Sequence, residues 1–119
     1  MNQARRLVDT IIKGLQEKKG HHIVTVDLRK ITGAICQYMV VCEGNTPNQV
    51  TALSDSVWDT VYKDLSEKPL LVEGIRNALW IGMDYGTVLV HIFVPEMRTF
   101  YRLESLWEDS VITKIEDIY

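Results

Sequence analysis

Apolar residues recur at three- and four-residue intervals along positions 3–18. Leu7, Val8, Ile11, Ile12 and Leu15 fall on one side, and Arg5, Asp9, Lys13, Glu17 and Lys18 fall on the other. That period predicts an amphipathic helix with one face turned to a core. Gly20 stops it, and the β-branched run Ile23 to Leu28 reads as a strand. Tyr38 to Glu43 has apolar side chains at consecutive positions, which predicts a strand covered on both faces. In the following turn Thr46 suits a helix cap and Pro47 suits a first helical position. The second helix then keeps Val50, Leu53, Val57, Val61 and Leu65 on one side as far as about Glu67, with Pro69 beyond its exit.

The second half is richer in strands. Leu70 to Glu73 is a short one, and Leu79 to Asp84 and Thr87 to Val94 flank Tyr85-Gly86 as an antiparallel hairpin. Gly74 to Asn77 is a loop. Arg98 to Trp107 reads as a docking helix with Phe100, Leu103, Leu106 and Trp107 inward, leaving Tyr101, Arg102, Glu104 and Ser105 on or near its outer face. The order is αββαβββα: a single α/β domain over residues 1–107, with a mixed sheet of about five strands flanked by helices. Residues 108–119 carry Glu108, Asp109, Glu116 and Asp117 with no strong pattern, so an acidic tail is expected there, loosely attached or packed on a partner.

Composition narrows the function classes. A chain of 119 residues, 46% hydrophobic and 24% charged, is long enough for one core. A net charge of −3 with 13 scattered basic residues argues against a general nucleic-acid binder, because phosphate affinity needs clustered cations. No apolar run approaches the roughly 18 residues of a membrane span, and the first residues lead into an amphipathic pattern rather than an apolar signal core. A cytoplasmic protein without membrane contact is the expectation. Cys36 and Cys42 lack Cys-x-x-Cys spacing and are expected to be free, buried thiols.

Four features carry candidate chemistry. Gly44-Asn45-Thr46, between a strand and a helix, is either a turn with a cap or an anion site, and it lacks the glycines and lysine of a phosphate loop. Asp27, Glu43, Glu73 and Asp84 lie near strand ends, but no strand carries the Asp-x-Asp or Asp-x-Glu pair that would aim two carboxylates at one divalent ion. His91, between Val90 and Ile92, is either a base or a structural histidine, and no nucleophile can be assigned to it. Trp58 reads as core. Trp80 has only Gly82 and Asp84 beside it on its face, which leaves that face open to a partner and makes Trp80 with Tyr101 a candidate anchor pair.

Glu73-Gly74, Trp80, Asp84-Tyr85-Gly86, Val90-His91-Ile92-Phe93, Arg98 and Tyr101-x-Leu103-Glu104-x-Leu106-Trp107 together resemble the signature of the ribosomal silencing factor, or Iojap, family. The resemblance runs over about residues 4–107 and leaves the acidic tail outside. It implies a nucleotidyltransferase-like fold without catalysis, often dimeric, which binds ribosomal protein fourteen of the large subunit and blocks joining of the small subunit. It places partner-facing positions at Glu73, Trp80, His91, Arg98, Tyr101 and Glu104, and implies no cofactor and no metal. Gln37 before Tyr38 stands where the family usually has aspartate, and Asn45-Thr46-Pro47-Asn48 departs from its usual turn serine. The first departure removes one more acid from any vestigial transferase site. The alternative reading is a nucleotidyltransferase-like enzyme or nucleotide-binding protein.

Overall fold

The computed structural model describes residues 3–97 and 111–119. Helix α1 (Gln3–Glu17) buries Leu7, Val8, Ile11 and Leu15, the stripe that the periodicity marks. It ends where Lys19 turns into the left-handed region (φ 58°) and the Gly20 N–H bonds back to the Leu15 carbonyl at 2.9 Å. Helix α2 (Pro47–Leu65) starts at Thr46, whose side chain accepts the Gln49 N–H at 3.1 Å. It stops at Ser66, which adopts φ 55° and donates its N–H to the Tyr62 carbonyl. The helices cross closely at Gly14, where a Cβ would lie 3.1 Å from Ser56 O and Val57 Cα. The Ser56 hydroxyl bonds the Gly14 carbonyl there at 2.7 Å.

Six strands form one mixed sheet: β1 (His21–Asp27), β2 (Tyr38–Glu43), β3 (Leu71–Glu73), β4 (Trp80–Asp84), β5 (Val88–Phe93) and β6 (Val111–Ile115). Their order is β3-β4-β5-β2-β1-β6, with β2 and β5 parallel and every other pair antiparallel. Both helices pack on one face, against Tyr38, Val40 and Cys42 of β2 and Val88, Val90 and Ile92 of β5. On the other face Val24, Val26, Met39, Val41 and Phe93 form a second buried cluster with Leu28 and Cys36 from the β1–β2 connection. Strand β2 is therefore covered on both sides, as its consecutive apolar residues predict.

Two expectations need correction. The sheet has six strands, not about five, because residues 111–115 of the expected tail pair with β1 from Ile23↔Ile115 to Asp27↔Val111. Val111-Ile112-Thr113 is a β-branched run, and its backbone groups find partners along the edge of β1. The segment is tied down further. His21 Nδ1 lies 3.0 Å from Asp117 Oδ2, the His21 and Tyr119 rings meet edge to face, and the Tyr119 hydroxyl donates to the Gly20 carbonyl. The second correction concerns the hairpin. Three residues, Tyr85 to Thr87, separate β4 from β5 rather than two. Asp84 Oδ1 accepts the Gly86 N–H at 2.7 Å, and Gly86 takes φ 87°. The expected helix over Arg98 to Trp107 lies outside the described residues.

Candidate functional site

Strand pairing brings two of the expected site residues, Glu73 and His91, into line across Gly82. Glu73 of β3 pairs with Gly82 of β4, and Gly82 pairs with His91 of β5, so these three form one row across the sheet. With the side-chain period of two, Trp80, Gly82 and Asp84 share a face with Glu73 and His91, away from the helices. Gly82 contributes no side chain to the row, and a Cβ there would still lie 3.8 Å from His91 Nδ1 and 3.9 Å from Cε1. The result is a hollow of about 180 Å³ lined by Leu71, Glu73, Gly82, Asp84, Leu89 and His91, among others.

Trp80, two residues from Gly82 on the same face, is half-buried. Its ring packs on the fully buried Phe93 with centroids 4.8 Å apart. Its indole Nε1–H donates to His91 Nδ1 at 3.0 Å. His91 is thus a histidine hydrogen-bonded within the fold, and burial pushes its pKa down to about 4. At neutral pH the imidazole is uncharged.

The approach to the site is set by the β3–β4 loop. Gly74 adopts φ 88°, and a Cβ there would run into the Trp80 carbonyl oxygen. The Ala78 N–H bonds the Gly74 carbonyl at 3.0 Å, with Ala78 itself at φ 54°. This tight loop fixes Glu73 and Trp80 on neighbouring strands. Around it, Leu70 (76% exposed), Leu71 (53%), Ile75 (56%) and Leu79 (42%) leave an apolar rim on the β3 edge of the sheet. Exposed apolar side chains grouped in this way are a feature of protein-binding surfaces.

Among the described residues, Asp27 and the Gly44 turn lie away from this hollow. Asp27 is clamped by Arg29 at 2.8–3.2 Å, and that side-chain bond holds its carboxyl below the usual range. Among the described residues no group of three or more His, Cys, Asp or Glu is placed to hold a metal ion. Gly44-Asn45-Thr46 serves as a turn and cap: the Gly44 N–H bonds the Phe93 carbonyl and the Asn45 N–H bonds Gln49 Oε1. Gln49 Nε2 reaches back to the Lys18 and Lys19 carbonyls, tying α2 to the end of α1. Cys36 and Cys42 are free and buried, with burial pushing the Cys36 thiol up. Trp58 is half-buried at the margin of the helix-side core, its ring 5.4 Å from that of Tyr62. Arg98, Tyr101 and Glu104 lie outside the described residues. Sequence reading missed the hollow itself, although the small Gly82 between Trp80 and Asp84 signals it, and missed the β-branched signal of β6.

A small mixed α/β domain with a glycine-floored hollow and an apolar rim has the form of a binding module. The chain belongs to the ribosomal silencing factor family: the profile described as "Ribosomal silencing factor during starvation" matches residues 1–118, a span that takes in β6. Ribosomal silencing factor RsfS of Haemophilus influenzae is 35% identical over 101 residues, 85% of this chain and 97% of that protein. RsfS of Bacillus subtilis is 28% identical over 116 residues, 98% of this chain and 96% of that protein. Among solved structures, the crystal structure of a Chromobacterium violaceum protein superposes with a TM-score of 0.83 at 31% identity, covering 90% of this chain and 88% of that one.

Proposed function

We propose that the protein docks on ribosomal protein fourteen of the large ribosomal subunit, covers the face that meets the small subunit, and so represses translation. The observation that carries this reading is the single patch made by Glu73, Trp80 and His91 on neighbouring strands of a family member, beside an apolar rim at the sheet edge. The proposed mode of action is steric: subunit joining loses contacts when its face is occupied, and no covalent step is required. A standard protein interface of about 800 Å² per partner is within reach of a domain of this size. The acidic balance of the chain suits a partner set in a basic, RNA-coated surface and would speed association. Arg98, Tyr101 and Glu104 join the patch in this proposal through the family resemblance. A homodimer and a cytoplasmic location complete it, and a role in subunit maturation is compatible with the same docking.

The competing nucleotidyltransferase reading loses support at the start of α2, where Thr46 and Gln49 already take up backbone donors that a phosphate would need. Sucrose gradients test the proposal. Purified protein is expected to comigrate with free large subunits and to reduce reassociation of ribosomes, and a pulldown from ribosomal extract is expected to retain ribosomal protein fourteen. Absence of both comigration and reduced reassociation overturns the proposal. A thermal shift with a nucleoside triphosphate and magnesium would revive the enzyme.

A further inference from the structure

The bond between Trp80 and His91 has a direction that chemistry fixes. An indole nitrogen donates and cannot accept, so His91 Nδ1, 3.0 Å away, is the acceptor and carries no proton. The neutral ring then holds its proton on Nε2. The Nδ1–Cε1 side of the ring lies over the bare backbone of Gly82, and Nε2 follows Cε1 around a ring that lines the hollow. Among the described residues, the charged groups that line the hollow are acids: Glu73 on β3 in the same cross-strand row and Asp84 on β4 along the same face. Asp84 already accepts the Gly86 N–H through Oδ1.

We infer that Trp80 serves recognition through His91: it locks the imidazole as the Nε2–H tautomer, and the hollow over Gly82 takes an amide group of the partner. A main-chain peptide unit or the carboxamide of an Asn or Gln is the chemical match. Its oxygen accepts from His91 Nε2–H, and its N–H donates toward the carboxylate of Glu73. A carboxylate would meet those of Glu73 and Asp84, and an ammonium has no acceptor to offer the His91 N–H. A hollow of about 180 Å³ holds an amide-sized group, and the missing side chain at residue 82 is what lets it approach the sheet. Trp80 is thus a positioning residue as well as an apolar surface. Burial keeps the histidine uncharged, so the donor persists across the neutral range.

This inference rests on the proposed docking, and the experiment separates the two. Long-range ¹⁵N–¹H spectra of the isolated full chain are expected to show His91 as the Nε2–H tautomer from about pH 5.5 to 8. In Trp80→Phe, which keeps a ring but removes the donor, Nδ1–H character is expected to appear. An Nδ1–H tautomer in the unsubstituted chain overturns the inference without reference to any partner. Binding to purified ribosomal protein fourteen then tests the donor. His91→Asn places an amide near Nδ1 and deletes the Nε2 donor, and is expected to lose about tenfold or more in affinity. His91→Gln places its amide near Nε2 and is expected to bind at least about fivefold tighter than His91→Asn. If the two variants, both folded by circular dichroism, bind equally, the donor role is wrong. If the unsubstituted chain does not bind at all, the docking proposal and the recognition half of the inference fall together, while the spectra still decide the tautomer.

Discussion

The helix-covered face of the sheet and the stretch of its other face at β3–β5 are built from different materials. On the helix side Ile11, Leu15, Val40, Leu53, Val57 and Ile92 are all fully buried, and the residues that meet there are almost wholly apolar. On the other side, at β3, β4 and β5, a carboxylate, a glycine and a histidine make up one cross-strand row beside a half-buried indole and a rim of exposed leucines. Apolar burial is worth about 1.5–3 kcal/mol for each large side chain, so the helix side, with the larger buried cluster, carries more of the stability. The β3–β5 side gives up part of that gain and retains polar groups with defined directions. Under the proposed docking, stability and recognition fall on opposite sides of the sheet at β3–β5, and substitutions there should have separable effects.

The largest effect should come from the helix side. Leu53→Ala removes a fully buried side chain between the helices and the sheet and should cost about 2–5 kcal/mol of unfolding free energy in urea titration. Partner affinity of the fraction that remains folded should be unchanged, and a matching loss of affinity would break the separation of the faces. Second in size is a pH effect on the recognition side. The pKa of folded His91 is near 4 against an ordinary 6.5, so between those values the unfolded chain binds more protons and stability falls as the pH drops. The loss should be on the order of 2–3 kcal/mol from about pH 7 to pH 4. It should be largely absent in His91→Gln, as measured by denaturation at the two ends of the window.

Trp80→Ala should weaken binding to ribosomal protein fourteen by about 2 kcal/mol in calorimetry, as expected of an interface anchor. Unchanged affinity in a folded variant would remove Trp80 from the site and leave it as a packing residue on Phe93. The smallest effect belongs to the far edge of the sheet. Asp117→Asn breaks the partly exposed contact with His21 and should cost less than about 1 kcal/mol, visible as faster amide exchange in β6. In the unsubstituted chain the same loosening should set in as the pH falls through the lowered pKa of Asp117, because protonation removes the carboxylate that His21 holds. Equal exchange in both proteins would mean that backbone pairing alone holds the strand.

What could be read before folding follows from the range of each signal. Helices α1 and α2, the buried strand β2 and the β4–β5 hairpin each announce themselves within a short window, through period, caps or turn residues, and their limits shift by only a residue or two. Strand β6 has a weak local signal, because its formation depends on a free edge of β1 that is distant in sequence. Glu73, Trp80 and His91 could be nominated from the family signature, but not their arrangement. The bond from Trp80 to His91 joins residues on two strands and leaves no local signal.

Side-chain type and local spacing suffice to tell which segments are helical or extended, which of their faces are apolar, and which family the residues resemble. That β3, β4 and β5 lie in a register that puts Glu73, Gly82 and His91 in one row, and that an indole fixes where the histidine carries its proton, emerges from the folded chain alone. Register and hydrogen-bond direction are properties of pairs of strands. A slip of one residue would leave every local pattern intact and place these side chains on the opposite face.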